Sequence, residues 1–135
     1  MEEESTKVAS VRLDELKPNV DFGIKIWLEF DGKNILGQGW AKLLEYIRNN
    51  ESEKGSLTKA AKQCGYSYKY AWNILKRIEK RTGKAAVITS KGGSGGGGWI
   101  KLNDWGEYLL QYYQTASSEV EEMRIRIKNI LNKSN

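Results

Sequence analysis

The sequence predicts an α+β domain, mostly α: a winged helix-turn-helix followed by a long C-terminal helix. Three observations carry that expectation. Two short amphipathic stretches, opening at Ser56 and Ser67, are joined through Gly65, with alanines where two helices must cross. Strand-like segments at 85–90 and 98–102 follow, enclosing six glycines within the seven positions Gly92 to Gly98. From Asn103 toward Leu131, apolar residues recur at intervals of three and four with no proline.

Residues 1–22 mix charges with Pro18 and show only weak patterning, so they read as an N-terminal tail or loosely docked arm. Residues 23–102 form the expected winged helix-turn-helix domain, and 103–135 the expected dimerisation helix. Ile24, Ile26, Leu28 and Phe30 alternate as on one face of a strand, and Asp31-Gly32 is a favoured hairpin turn into residues 33–36. Trp40, Leu43, Leu44 and Ile47 then repeat at helical spacing, ending near Asn49-Asn50. Ser56 reads as the N-cap of the next helix, with Leu57, Ala60 and Ala61 on its apolar face and Gly65 as its stop. Ser67 caps a longer helix from Tyr68 to about Arg81, closed by Gly83.

On that longer helix Ala71, Trp72, Leu75 and Ile78 share one face and point to the core. Tyr70, Asn73, Arg77 and Lys80 cluster opposite, flanked by Lys69 and Lys76. Donors and an aromatic along one side, with a packed stripe along the other, suit insertion into a DNA major groove. The charge distribution agrees. Between Ser56 and Lys101 there are ten Lys or Arg and one acid, Glu79, a net of +9 within a chain whose total is +5. A concentrated basic segment calls for a polyanionic partner.

The glycine run admits a flexible tether, a phosphate-cradling loop or a hairpin tip. Its flanks are short strands that need each other's hydrogen bonds, and no helix opens after it with Gly-Lys-Ser/Thr. A wing tip is the reading that remains, although composition alone also fits an engineered linker. Glycines there let backbone amides approach phosphate, with Lys91 and Lys101 adding charge and Gly93, Ser94 and Gly96 within reach. The candidate DNA-binding set is therefore Ser56, Ser67, Tyr68, Lys69, Tyr70, Asn73, Lys76, Arg77, Lys80, Lys91, Gly93, Ser94, Gly96 and Lys101.

Asn103 or Asp104 caps the last helix. Leu109, Tyr112, Ala116, Val120, Met123, Ile127 and Ile130 mark its apolar stripe, which lacks the strict alternation of a coiled coil. About 27 residues extend some ~40 Å, more than a small domain covers. The stripe is expected to meet a second copy of the chain, giving a homodimer.

The sequence has no histidine and one cysteine, Cys64, so neither a metal site, a cofactor nor a catalytic group is expected. Its acidic N-terminus has no apolar segment, and no stretch is long and apolar enough for a membrane span. The expected location is cytoplasmic and nucleoid-associated.

Residues 55–73, Gly-Ser-Leu-Thr-Lys-Ala-Ala-Lys-Gln-Cys-Gly-Tyr-Ser-Tyr-Lys-Tyr-Ala-Trp-Asn, together with the glycine-rich 91–98, resemble the DNA-binding winged-helix domain of the molybdate-responsive (ModE-type) transcription regulators. The resemblance covers roughly residues 24–115. It implies a dimeric regulator in which Ser67-Tyr68-Lys69 opens the recognition helix. Members of that family usually carry C-terminal molybdate-binding domains; the sequence stops at Asn135, so molybdate sensing is not expected of it. The function expected is a sequence-specific, DNA-binding transcription regulator. The alternatives are an architectural chromatin protein that binds DNA with little sequence preference, and a winged helix used for protein contact.

Overall fold

The computed structural model describes residues 10–90 and 98–133. The expectations for Lys91, Gly93, Ser94 and Gly96 lie outside the described residues. The chain divides into two units, Ile26–Ser117 and a second made of Met1–Lys25 with Ser118–Asn135.

The larger unit opens on a hairpin, β1 (Leu28–Phe30) and β2 (Lys33–Leu36). Asp31 and Gly32 turn it with φ of 50° and 80°, the left-handed pair that matches strand twist. The expected strand was longer. Leu28 already pairs with Leu36, and the chain turns into a helix just beyond, so residues 24–27 find no partner strand. Next come α2 (Gln38–Asn49), α3 (Ser56–Cys64) and α4 (Tyr68–Thr82). Gly65 and Gly83 end α3 and α4 in the left-handed conformation, each returning its N–H to the last turn. The Ser67 hydroxyl accepts the Tyr70 N–H at 3.0 Å, the expected cap.

A second hairpin, β3 (Val87–Ser90) and β4 (Trp99–Leu102), pairs antiparallel with Thr89 opposite Ile100. The helix α5 (Asp104–Lys133) then starts at Asn103, whose side-chain oxygen accepts the Gly106 N–H at 2.8 Å. The result is mostly helical with two small antiparallel hairpins, a winged helix-turn-helix as expected.

The core gathers Ile35, Leu36, Leu43, Leu44, Ile47, Ile74, Leu75, Ile78, Ile100 and Leu110 around Ala60, Ala61 and Ala71. Those alanines are almost fully buried, so α3 and α4 approach closely where they cross. The core face of α4 is wider than the expected stripe. It includes Ile74, because α4 packs on α3 along one flank and on β2 along the other, while Trp72 is only half-buried.

On α5 the expected stripe is rotated. Gly106 is buried where an added Cβ would lie 2.2 Å from the Ala86 carbonyl oxygen, so only glycine fits that crossing. With Gly106 facing β3's approach, Leu109, Leu110 and Tyr113 turn inward, and Tyr112 is left exposed. Trp105 stays at the margin, edge-on to Phe30 and stacked on Tyr108. Leu109 was expected at a dimer interface. It is 3% exposed within its own unit's core and is unavailable to a partner.

In the smaller unit, the described part of the N-terminal segment forms a single turn, α1 (Leu13–Leu16), and a 3-10 turn at Lys17–Asn19. The Arg124 guanidinium bridges Asp21 and Glu121. Hydrogen bonding to that cation holds both carboxyls below their ordinary range, and the two carboxylates in turn raise Arg124. Val120 and Met123 are half-buried in this unit. Ile125, Ile127, Ile130 and Leu131 on the helix remain exposed, as do Leu13, Val20 and Ile24 on the segment.

Candidate nucleic-acid interface

Ser56 departs most clearly from its expected role. Gly55, at φ 67°, is the residue before the helix, and Ser56 is the first residue within it, fully buried. Its hydroxyl accepts the Ile100 N–H at 2.8 Å and donates to the Ile100 carbonyl at 3.1 Å. Ser52 N–H also reaches the Ile100 carbonyl, at 3.3 Å, and Gly55 N–H reaches Gly98 O at 3.0 Å. The turn before α3 thus takes the place of a third strand along the free edge of β4. Ser56 fixes the hairpin on the helix-turn-helix; burial takes it out of the surface set.

The exposed face of α4 is assembled as the sequence implied. Lys69, Tyr70, Asn73, Lys76, Arg77 and Lys80 all lie in solvent along one side of a rigid helix. Some are already held by neighbours. Tyr70 meets Tyr66 edge-on at 4.9 Å, and the Arg77 guanidinium lies 5.8 Å from the Trp40 ring. Lys76 sits 5.9 Å over Trp72, and Lys101, half-buried on β4, sits 5.9 Å over Trp99. Ser67 is exposed but spends its oxygen on the helix cap, and Tyr68 is half-exposed with its ring edge-on to Trp72. Lys69, Asn73 and Lys80 make no side-chain hydrogen bond or ion pair among the described residues.

Burial pushes the Cys64 thiol above its ordinary range and also raises Tyr66. Among the described residues no group of Cys, Asp and Glu side chains could hold a metal ion. Among them, too, no helix is long and apolar enough to cross a membrane.

Two features escaped the sequence reading. One is the Ser56 anchor, since a serine before an apolar helical stretch looks the same whether it caps or is buried. The other is a cleft bounded by residues of α3, α4 and the β3–β4 hairpin, among them Leu57, Thr58, Tyr68, Trp72, Thr89 and Ile100. Trp72 reads as part of the core face of its helix, and the pattern assigns the other side chains of the cleft no common surface.

A helix-turn-helix followed by a hairpin that packs on α2 and α3, with a basic face on its second helix, defines the winged-helix class. Within that class the chain is similar to ModE regulators, as the sequence implied. It is 29% identical over 111 residues to the molybdenum transport protein ModE of Azotobacter vinelandii, covering 82% of the chain and 39% of that protein. It is 37% identical over 59 residues to the DNA-binding transcriptional dual regulator ModE of Escherichia coli K12, covering 44% of the chain and 22% of that protein. The molybdenum transport protein ModE of Herbaspirillum seropedicae is 40% identical over 63 residues, 47% of the chain and 22% of that protein. The chain therefore spans at most about two fifths of the length of these relatives. No protein-family model matches it.

Ser56→Ala should leave the buried Ile100 N–H without an acceptor, while its carbonyl keeps the Ser52 N–H, and cost about 1–3 kcal/mol. The expected readout is a lower Tm with faster exchange of the Ile100 amide. An unchanged Tm and exchange rate would show that the hairpin is fixed by packing alone.

Proposed function

We propose that the chain is a sequence-specific, DNA-binding transcription regulator, with α4 as recognition helix and the β3–β4 hairpin as wing. The observation that carries this reading is the exposed side of α4, where Asn73 and Tyr70 stand among Lys69, Lys76 and Lys80 with the opposite side locked in the core. An amide can pair with both N6 and N7 on the major-groove edge of adenine, whereas the lysines neutralise phosphate. An architectural protein, reading charge and shape alone, would need only the cations; Asn73 and Tyr70 favour base readout. The regulatory names of the ModE relatives support the same conclusion.

We further propose that it acts as a homodimer through α5 and the N-terminal segment. Ile127 and Ile130, with Ile125 and Leu131 beside them, present apolar surface that water penalises by roughly 1.5–3 kcal/mol per side chain relative to full burial. Exposed patches of this kind mark interaction surfaces, and a second copy would bury them about a two-fold axis. Tyr112, Ala116, Val120 and Met123 extend the stripe along the helix. Pairing would place two recognition helices on half-sites about ~34 Å apart.

Asn73→Ala should relax sequence preference at one base position, costing on the order of 1–3 kcal/mol on the preferred site. Lys76→Ala should weaken all sequences about equally and lower the salt slope by roughly one unit. Titrations of both variants on matched and mismatched duplexes check this. An Asn73→Ala protein with intact preference would move the reading face elsewhere.

Replacing Ile127 and Ile130 together by glutamate should yield a monomer in sedimentation at micromolar concentration. Its DNA binding should weaken sharply, because two half-sites are no longer linked. A dimer that persists would assign the interface to the larger unit.

A further inference from the structure

On α4, Tyr70, Asn73 and Arg77 follow one another at steps of three and four and fall within about 60° around the helix axis. Lys69, Lys76 and Lys80 occupy the flank beside them. Both ends of the Tyr70–Arg77 line are held from outside the helix. The Arg77 guanidinium lies 5.8 Å from the ring of Trp40 in the first turn of α2, within cation–π range. Tyr70 meets the Tyr66 ring edge-on, with centroids 4.9 Å apart. The Tyr66 hydroxyl in turn lies against Gly39, where an added Cβ would approach it to 2.5 Å. Adjacent positions of α2, Gly39 and Trp40, thus back the two ends of one line on α4.

The hold on Arg77 leaves its donors available. An ion pair would occupy the guanidinium N–H groups with a carboxylate, as Asp21 and Glu121 occupy those of Arg124. Arg81, one turn further along α4, donates to the Asn34 carbonyl. Arg77 makes no hydrogen bond or ion pair among the described residues, and an aromatic ring attracts the cation without accepting its N–H groups in the same way. A restrained guanidinium with its fork open matches the paired acceptors O6 and N7 of guanine. Phosphate needs no such restraint. Three lysines with no acidic partner among the described residues already stand on the adjoining flank to meet it.

We propose that Arg77 reads a guanine and that Trp40 is its positioning residue, with Tyr66, seated on Gly39, positioning Tyr70 in the same manner. The inference rests on the DNA-binding reading and deepens it, because base selectivity then depends on a helix that does not itself touch the bases. Asn73 lies between the two held residues on the same line. From Tyr70 to Arg77 the helix advances about 10 Å, enough to set the three side chains over neighbouring base pairs. Restraining the two ends in advance lowers the ordering cost that each side chain would otherwise meet on binding.

The test varies a duplex selected by the parent protein one base pair at a time and titrates each version, with Tm measured alongside. Arg77→Lys keeps the charge and should lose about tenfold of the preference for guanine at one position, with affinity for a scrambled duplex unchanged. Trp40→Leu should lose roughly threefold at that same position, and Trp40→Phe, with a weaker ring, should fall between leucine and the parent. In an Arg77→Ala background Trp40→Leu should change nothing further there, an outcome that a purely structural role for Trp40 does not give. Gly39→Ala displaces Tyr66 and should reduce preference at a different base pair, while Tm holds because alanine suits a helix better than glycine. Uniform weakening of every duplex by Arg77→Ala, with preference intact, would place the guanidinium on phosphate and overturn the proposal. Intact preference in Gly39→Ala and in both Trp40 variants would reduce these contacts to packing and overturn it too, with the regulator reading left standing. A parent that selects no sequence would overturn the regulator reading itself, and the positioning roles with it.

Discussion

The buried hydroxyl of Ser56 and the backbone of Ile100 form the joint on which the arrangement turns. Hairpin β3–β4 has only two strands, too few to stand alone in water. Its outer edge is satisfied because the turn before α3 supplies Ser52 and Gly55 N–H groups and the Ser56 side chain. Ile100 in turn places its side chain in the core, so the same residue is held by hydrogen bonds and by packing. Leaving either Ile100 group unpaired in that interior would cost more than the pair itself contributes. The hairpin is therefore locked against α2 and the first turn of α3.

Close approach through small residues sets the remaining geometry. Ala60, Ala61 and Ala71 let α3 and α4 cross with little between them, and Gly106 brings α5 against the Ala86 carbonyl. These contacts fix rotation as well as distance. They decide that Asn73 faces water while Ile74 is buried, and that Tyr113 enters the core in place of Tyr112.

Much of this was legible in the sequence. Gly65, Ser67 and Gly83 announce their helix ends by chemistry that acts locally, and Asp31-Gly32 announces its turn in the same way. The exposed side of α4 was legible because charge and periodicity agree there. What sequence could not resolve were tertiary choices. Spacing of three or four admits Tyr112 and Tyr113 equally, and only the Gly106 crossing breaks the tie. A serine ahead of Leu57 looks like a cap until β4 arrives to bury it, and Leu109 reads as stripe until the core claims it. The alternation from Ile24 to Phe30 promised a longer strand than the short β2 can pair.

The smaller unit follows a different logic. An exposed ion pair network at Arg124 joins the N-terminal segment to α5 and contributes modestly, as surface pairs do. The apolar side chains around it stay in water in a single copy, in contrast to the dense core of the larger unit. This imbalance is what the proposed homodimer would relieve.

The proposed regulator depends on α4 discriminating among base sequences, and selection from a random pool of duplex DNA at fixed salt tests that most directly. The account predicts enrichment of a defined consensus, repeated with two-fold symmetry, bound well above the unselected pool. Recovery of a pool with no enriched sequence, held with an affinity that follows salt alone, would contradict it.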